Sequence, residues 1–555
     1  MQVIPYIRKR TDLFAALFVF AAAFSFYINA IDGEFVFDDL PLISSDPFYH
    51  EGTSSTISDC FFRTYWRKEH SQGLYRPLTL ASYLVNAKFA GLYSPSFRLT
   101  NILLHSLISV LVYVLCLKLL KNRKAAFISS ILFAVHPIHS EAVIPGSGRA
   151  DLLCSVFIFA GLLFHFSQIR LKSFVVFISC LSALLCKENG IVLLPLCVAY
   201  DFFFRNSEFR ENIIMKKYKL LLEYLSYLLA VVIYFMMRIF FVSAPFPYFS
   251  QSSLFSDNQL AFLGFWERLP SAIWLQSLAV WQFIFPAKLS HDYSFAQILP
   301  ITKIGDPRLV WTAIFISIVG ILAVSFYRND RKLSLFCICS YGLSILPVSN
   351  IITPTGTIFG ERLYYFPSVW LCIIIISEMS QIVNRFKIRP VIITILSVMI
   401  LLSLFIRLSL RIPDWKDLFS IASAGVKSSP SSHKMWNNYG LQLLDRGMLE
   451  EAETAFSRAI EINQANLQAL RNRAYIRISK GNNQEALTDL LACIDLGTKD
   501  VEVYNKAGAI FAISGDKEKA ASLWKKSLQI NPNQRKIIEH LKDVEENILR
   551  NQKPR

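Results

Sequence analysis

Seven short clusters of ionisable side chains interrupt an otherwise apolar sequence, and their residue types can carry acid–base and anion chemistry. A carboxylate can take the proton of a hydroxyl group as that hydroxyl attacks another atom. Arginine holds a phosphate group through paired hydrogen bonds, and lysine holds it as a point charge. The clusters are Asp38 with Asp39; His136 and His139 with Glu141; Arg149 with Asp151; Lys187 with Glu188; Arg238 alone; His291 with Asp292; and Glu361 with Arg362.

Each cluster also has a structural interpretation, and the sequence leaves both open. Asp38 and Asp39 fit a catalytic role, but also a solvated loop or a helix cap. The oppositely charged neighbours in three clusters fit ion pairs, and Arg238 fits a side chain that snorkels to a membrane surface. The segment 136–141 lacks the HExxH spacing of a zinc site, so a metal there is not favoured. The sequence therefore requires no cofactor and does not indicate a divalent metal.

The composition indicates which kind of protein positions these clusters. The chain has 555 residues, 53% of them hydrophobic, and a mean hydropathy of +0.40. These values predict many membrane spans and exclude a disordered chain or a disulfide-rich secreted scaffold. The net charge of +16 falls in short basic bursts between apolar runs, which is typical of cytoplasmic loops and not of a nucleic-acid surface. Ten cysteines without a CxxC pair indicate no zinc site.

The apolar runs and their basic flanks predict eleven membrane spans, with the N-terminus in the cytoplasm and the C-terminus outside. Two more apolar segments, 78–92 and 273–285, are predicted to lie on the membrane within outer loops. In this orientation all seven clusters reach the outer face, where they would form one site. The predicted spans are 13–31, 99–120, 125–143, 152–169, 173–186, 191–204, 220–242, 310–327, 333–351, 363–382 and 391–406.

A charged, periodic segment follows the last predicted span. Gly447, Gly481 and Gly515 lie 34 residues apart, and four further registers share this period. Small residues where two helices must touch, with large ones between them, are typical of tetratricopeptide repeats. We therefore predict an all-α protein: a polytopic membrane bundle over 1–412, a linker over 413–432, a solenoid of three tetratricopeptide repeats over 433–534, and a capping helix with a tail over 535–555.

Two asparagines occupy one register on the first helices of these repeats. Asn438 and Asn472 share it, and Lys506 breaks the series. An amide offers both a donor and an acceptor to a peptide backbone, which predicts a groove for an acceptor polypeptide. Ordinary solvated polarity of the inner face explains the same residues, and the sequence does not separate the two interpretations.

Seven motifs occur along the chain: FVFDD (35–39), YRPLT (75–79), NILLH (101–105), HPIHSEAV (136–143), GRADLL (148–153), CKENGI (186–191) and ERLYYFPS (361–368). In combination, and with repeats after the last span, they resemble the transmembrane and tetratricopeptide-repeat family of protein O-mannosyltransferases in the C-type glycosyltransferase superfamily. The resemblance covers nearly the whole chain.

That resemblance implies an inverting transfer of a sugar, mannose in that family, from a polyprenyl- or dolichyl-phosphate donor to Ser or Thr hydroxyls of extracytoplasmic or lumenal proteins. Asp38 or Asp39 would be the base, and Arg238, Arg362, Arg149 or Lys187 would hold the donor phosphate. The membrane would be a bacterial inner membrane, or that of the endoplasmic reticulum with the repeats in the lumen. The supporting residues would be His136, His139, Glu141, Asp151, Glu188, Asp292 and Glu361.

Two other classes of function remain open. A ligase or transporter of polyprenyl-linked envelope glycans would share the phosphate site but act on a glycan. A non-catalytic membrane scaffold would recruit partners through the repeats and would have no need of Asp38 or Asp39. A nucleic-acid partner is not expected.

Overall fold

The computed structural model describes residues 10–50, 52, 54–66, 73–167, 169, 171–205, 214–242 and 255–552, and the regular structure in these ranges is helical throughout. The predicted all-α class is therefore confirmed. The α-helices are α1 (Arg10–Tyr27), α2 (Pro77–Ala90), α3 (Ser94–Leu120), α4 (Arg123–Val135), α5 (Ser140–Val143), α6 (Arg149–His165), α7 (Lys172–Cys186), α8 (Leu193–Phe204), α9 (Ile214–Val242), α10 (Phe265–Ile284), α11 (Pro307–Arg328), α12 (Lys332–Ile345), α13 (Ser368–Phe386), α14 (Pro390–Arg411), α15 (Leu418–Ser428), α16 (His433–Asp445), α17 (Leu449–Ile462), α18 (Leu467–Ser479), α19 (Asn483–Asp495), α20 (Val501–Ile513), α21 (Lys517–Ile530) and α22 (Arg535–Gln552).

Seven helical segments of the described chain are long and apolar enough to cross a membrane, judged by length and composition. The protein therefore has the character of an integral membrane protein, as the composition predicts. These candidate spans are Arg10–Ala30, Ser94–Leu120, Gly146–His165, Leu221–Val242, Pro307–Arg328, Ser368–Phe386 and Pro390–Trp415.

An eighth candidate is broken in the middle. α4 and the segment Pro137–Val143 together are apolar enough to span, but they meet at 48°. Pro137 explains the break, because a proline has no N–H to continue the helix and disfavours helical geometry in the residue before it. That residue, His136, has an extended backbone (φ −69°, ψ 122°), and its ring accepts the N–H of Ile138.

The remaining three predicted spans form shorter helices. α7 has 15 residues, α8 has 12 and α12 has 14, whereas a single helix needs about 20 residues to cross a bilayer. Helix length and composition therefore support seven or eight spans. They do not confirm the predicted eleven.

The chain divides into two compact units. One comprises Met1–Ser294 and Ile298–Ile421, and the other Phe295–Gln297 and Ala422–Arg555. The first unit contains α1 to α14, and the segments between these helices hold most of the seven clusters. The predicted linker, 413–432, contains the helix α15.

The second unit contains three helix pairs and a last helix, α22. The first helix of a pair approaches the second at a small residue. A Cβ atom added to Gly440 would lie 2.7 Å from the Phe456 ring, and one added to Gly508 would lie 2.5 Å from the Trp524 indole. Real Cβ atoms do not pack this closely. Each repeat therefore needs a small residue on its first helix where the large side chain of its second helix packs.

Candidate active site

Asp39 is a buried anchor between two segments. Its carboxylate is fully buried and accepts the backbone N–H groups of Gly146 (3.0 Å) and Ser147 (2.7 Å), just before α6. Burial raises the pKa of Asp39, and the hydrogen bonds from Ser147 and Gly146 offset this only in part. Asp39 therefore holds the loop after α1 against the N-terminal end of α6.

Asp38, the preceding residue, is open on one side. Its side chain is 40% exposed, and its Oδ2 accepts a hydrogen bond from Nη1 of Arg362 at 3.1 Å. Within the described ranges, no donor reaches its Oδ1. A carboxylate that is oriented through one oxygen and open at the other is suited to accept the proton of an incoming hydroxyl.

A strained turn separates the surroundings of these two neighbouring carboxylates. Phe37 has φ +45°, in the left-handed region that bulky residues rarely adopt. Its ring stacks on His291 with 4.6 Å between the ring centroids, and this contact fixes the turn. Strain of this kind costs about 1–3 kcal/mol and is concentrated in functional sites.

Arg362 connects Asp38 with a second carboxylate, Glu141. The backbone N–H of Arg362 donates to Oε2 of Glu141 at 3.0 Å, and its Nε lies 3.6 Å from Oε1. Burial alone lowers the pKa of Arg362, but Asp38 and Glu141 outweigh it and raise the pKa above its usual value. The guanidinium thus stays charged between two carboxylates that come from distant parts of the chain.

Charged residues that are neighbours in the sequence form ion pairs with distant residues and not with each other. Lys187 binds Asp151, with 2.6 Å between Nζ and Oδ1, and does not pair with its neighbour Glu188. Glu188 instead lies 2.9 Å from Arg76 and 3.5 Å from Arg238. Burial raises the pKa of Glu188, but these two arginines, Arg76 above all, lower it below its usual range.

Arg238 is a buried member of this network. It is 1% exposed, and its guanidinium donates to the hydroxyl of Tyr234 (3.2 Å) and to the carbonyl of Gly73 (2.5 Å). Its place near the end of α9, beside Glu188, joins that helix to the turn before α8. The interpretation as a snorkelling side chain does not describe these contacts.

A small pocket lies next to the Lys187–Asp151 pair. It has room for about one water molecule. Ser155, Asn189 and Ser344 add polar groups to its wall, and Leu363 with Phe366 adds an apolar side. The pocket can therefore hold a water molecule beside Lys187, and it is too small for a sugar.

Arg149 has a different environment from the other predicted phosphate ligands. It is fully buried and donates to Oδ1 of Asn101 (2.9 Å) and to the carbonyls of Phe97 (2.9 Å) and Ser82 (3.3 Å). These contacts tie α6 to α2 and α3. Arg149 does not form the ion pair with Asp151 that their sequence spacing allows.

The two histidines of the cluster before α5 are bound to protein groups. Nε2 of His136 lies 2.7 Å from the carbonyl of Phe283, and Nε2 of His139 lies 2.8 Å from Oγ of Ser368. Among the described residues, no group of three His, Cys, Asp or Glu side chains is arranged to hold a metal ion.

Glu361 and Asp292 lie in the same region as His291. Oε1 of Glu361 accepts the N–H of Ser290 (2.6 Å) and the hydroxyl of Tyr293 (2.7 Å). Burial raises the pKa of Glu361 to about 8, despite an opposing effect of the nearby Arg411. Asp292 accepts the hydroxyl of Ser294 at 2.7 Å, which stabilises its own loop.

Two arginines of this region are missing from the predicted site. Arg76 pairs with Glu188, and Arg411 lies 3.9 Å from Glu361. The sequence carried a signal for each. Arg76 stands within the YRPLT motif, and Arg411 ends a strongly apolar helix at the face that the predicted topology places outside, where basic residues are disfavoured.

In the second unit, the two predicted groove residues differ in exposure. Asn472 is 7% exposed, and its Nδ2 has no hydrogen-bond partner in the described part of the chain. Asn438 is half-buried. The predicted groove is tested by measuring peptide binding to variants of these two residues.

Comparisons with known proteins agree on one family. Residues 246–320 match the family described as "Protein O-mannosyl-transferase TMTC, DUF1736", and residues 433–466 match "Tetratricopeptide repeat". The tetratricopeptide prediction is thereby confirmed for the first repeat. The order of the two matches along the chain is the order that the motifs and the 34-residue period predict.

Relatives of this chain include longer proteins from animals. The chain is similar to protein O-mannosyl-transferase TMTC3 of Homo sapiens (27% identical) and of Mus musculus (26%), in each case over 91% of this chain and 59% of the relative. It is also similar to protein O-mannosyl-transferase F38B6.6 of Caenorhabditis elegans, 29% identical over 79% of this chain and 61% of the relative. The chain spans about three fifths of the length of these relatives.

Proposed function

Because the chain is a distant homologue of the TMTC protein O-mannosyl-transferases, we propose that it moves a sugar, mannose, from a polyprenyl or dolichyl phosphate to Ser or Thr hydroxyls of extracytoplasmic or lumenal proteins. The observation that carries the proposal is the open carboxylate of Asp38, oriented by Arg362. The repeats dock the acceptor polypeptide, with Asn438 and Asn472 in the groove. The membrane is a bacterial inner membrane or that of the endoplasmic reticulum.

The proposed reaction needs one base and one stabilised leaving group. The acceptor oxygen attacks C1 of the sugar from the side opposite the phosphate, while Asp38 takes the hydroxyl proton. The bond between C1 and the phosphate oxygen breaks, and the lipid phosphate leaves with the negative charge. A single displacement inverts the configuration at C1 and requires no covalent sugar intermediate. Asp39, anchored by Gly146 and Ser147, fixes the position of Asp38 and is not itself open to the acceptor.

The leaving phosphate needs cations, and four are proposed. Arg362 has the strongest support because it is the most exposed of the four, at 30%, and can reach a ligand while its Nη1 orients Asp38. Arg238 and Lys187 belong to the neighbouring ion-pair network. Arg149 has the weakest support, since its guanidinium already binds three protein oxygens.

Arg238→Leu is expected to raise the KM for the lipid-linked donor by about 10-fold or more, because a charge-assisted hydrogen bond of about 1.5–3 kcal/mol is lost. Arg238→Lys keeps the charge without the fork, so its effect should be smaller. Arg331→Leu is a matched control. It also removes an arginine that forms an ion pair, with Glu378, but Arg331 lies between α11 and α12 and is not part of the proposed site. A donor KM that is unchanged in Arg238→Leu would reduce Arg238 to a structural partner of Glu188.

The proposed topology has eleven spans and places the repeats outside the cytoplasm. Lys499→Cys tests it, since Lys499 is exposed and the native cysteines are buried or, for Cys339, partly buried. A membrane-impermeant maleimide should label this cysteine from the extracytoplasmic or lumenal side of sealed vesicles. Labelling from the cytoplasmic side alone would contradict the topology.

Mass spectrometry of extracytoplasmic proteins tests the function in cells. Cells that carry the chain should contain hexose-modified Ser or Thr residues that are lost when the chain is deleted and restored by the wild-type chain. A deletion that changes an envelope glycan and leaves every protein unmodified would favour a glycan ligase. A deletion that changes neither would favour a scaffold.

A further inference from the structure

Four side chains beside Asp38 carry buried polar atoms that have no hydrogen-bond partner in the described part of the chain. The atoms are Nε and Nη2 of Arg411, Nε1 of Trp415, both ring nitrogens of His291, and Oε2 of Glu361. Arg411, Trp415 and Glu361 are each at most 2% exposed. Buried polar groups are nearly always satisfied, so a group of such atoms in one place indicates that something absent from the chain itself satisfies them.

The four side chains are close neighbours. Cζ of Arg411 lies 5.6 Å from the centre of the Trp415 ring, and the rings of Trp415 and His291 are 6.1 Å apart. Nη2 of Arg411 lies 3.9 Å from Oε2 of Glu361, which is too long for a hydrogen bond. Asp414 binds the other end of the guanidinium, Nη1, at 3.1 Å. The Nε–Nη2 edge of Arg411 is therefore the one that remains open.

The chemistry of these atoms selects an anion. The Nε–Nη2 edge of a guanidinium presents two parallel N–H donors that match two oxygens of a phosphate. The indole of Trp415 is a donor only, and a neutral imidazole supplies one further N–H. Glu361 is the one carboxyl group in the cluster, and burial raises its pKa to about 8, which favours the protonated form that can donate a hydrogen bond.

The position of Arg411 selects a phosphate at a membrane surface. Arg411 is the last residue of α14 and lies within the candidate span Pro390–Trp415. In the most apolar stretch of this span, only 11% of the residues are buried by the rest of the protein. Leu410 and Ile406 on this helix are 66% and 50% exposed. A prenyl chain can lie along such a surface while its phosphate reaches the buried edge of Arg411.

We propose that Arg411, Trp415 and His291 form the subsite that binds the phosphate of the lipid-linked donor. This inference rests on the proposed function for the identity of the lipid, and it adds Arg411 to the cations proposed above for the same phosphate. Two pairs of consecutive residues connect the subsite to the base. In the first pair, Phe37 stacks on His291 and the next residue is Asp38. In the second pair, Glu361 lies next to Arg411 and the next residue is Arg362, which binds Asp38. The subsite and the base are therefore linked through two short segments of the chain.

The test is binding of a polyprenyl phosphate without a sugar to the purified full-length chain. Arg411→Met should raise its Kd about 10–100-fold, and Trp415→Phe, which keeps the ring and removes the N–H, about 3–10-fold. Arg407→Met is the control on the same helix, because Nε and Nη2 of Arg407 already bind the carbonyls of Pro286 and Ala287. Trp415→Phe keeps the experiment decisive if Arg411→Met fails to fold.

Two further probes identify the source of the phosphate. Polyprenol, which lacks the phosphate, should bind all variants alike, and inorganic phosphate should bind more weakly than the prenyl phosphate. Inorganic phosphate that binds as tightly, with the same dependence on Arg411, would assign the subsite to a free phosphate. Unchanged prenyl-phosphate binding in Arg411→Met and Trp415→Phe would overturn the inference, as would an equal loss in Arg407→Met.

These outcomes are separable from those of the proposed function, because the binding assay contains neither sugar nor acceptor. If the wild-type chain transfers mannose while the variants bind prenyl phosphate normally, only the subsite is wrong. If the variants lose binding but the wild-type chain modifies no protein, the subsite stands and the proposed transfer is wrong.

Discussion

Replacing Asp38 by asparagine is expected to lower the rate of sugar transfer by about 10²–10⁴-fold, the range typical of a lost general base. The amide cannot take the acceptor proton, although it still accepts a hydrogen bond from Arg362. The side chain is 40% exposed, so expression and folding should be retained. The measurement is the initial rate of transfer by purified protein at saturating donor.

Asp32→Asn is the matched control for this change. Asp32 is exposed and lies in the same loop after α1, so its replacement alters the local charge equally without touching Arg362. It should transfer sugar at the wild-type rate. Transfer at the wild-type rate by Asp38→Asn as well would show that the base is another residue.

Asp39→Ala is expected to have the opposite profile, with its main effect on stability. It leaves the buried N–H groups of Gly146 and Ser147 without an acceptor, and each such group costs about 1–3 kcal/mol. The free energy of unfolding should fall by about 2–6 kcal/mol, seen as a lower midpoint of thermal unfolding in detergent. Asp39→Asn keeps one acceptor oxygen and should fall between the wild type and Asp39→Ala.

The neighbouring Asp38→Ala controls for charge in this comparison. It removes a half-exposed ion pair, which contributes about 0–1 kcal/mol, and leaves Arg362 paired with Glu141. Its unfolding midpoint should stay close to that of the wild type. An equal loss of stability in Asp38→Ala and Asp39→Ala would mean that the two carboxylates are not divided into an anchor and a base.

The sequence alone predicts features that depend on local period and composition. The 34-residue spacing that brings Gly440 against Phe456 is written directly in the chain, because each repeat contacts its neighbours in the same way. The long apolar runs likewise predict α3, α11 and α14, because their composition alone indicates helices long enough to cross a membrane. The broken pair at Pro137 and the short helices α7, α8 and α12 depart from the predicted spans, since these segments are shorter than a bilayer or are bent.

The partners of ionic side chains depend on tertiary packing and could not be predicted in this way. Neighbouring charges at Lys187 and Glu188 suggest a local pair, yet Lys187 binds Asp151 and Glu188 binds Arg76. Sequence likewise treats Asp38 and Asp39 as equivalent, whereas the turn at Phe37 buries one of them and exposes the other. Arg411 departs from the preference of basic residues for cytoplasmic loops. Only the structure shows that it lies beside Trp415, which in turn contacts His291.

The proposed reaction is sugar transfer to a hydroxyl of a polypeptide, with Asp38 as the base. Its most direct test incubates the purified chain with polyprenyl- or dolichyl-phosphate mannose and an extracytoplasmic polypeptide, and then locates the modification by mass spectrometry. We expect hexose on Ser or Thr with wild-type protein, with inverted configuration at C1, and almost none with Asp38→Asn. Absence of modified Ser and Thr with the wild type, or equal modification by Asp38→Asn, would contradict it.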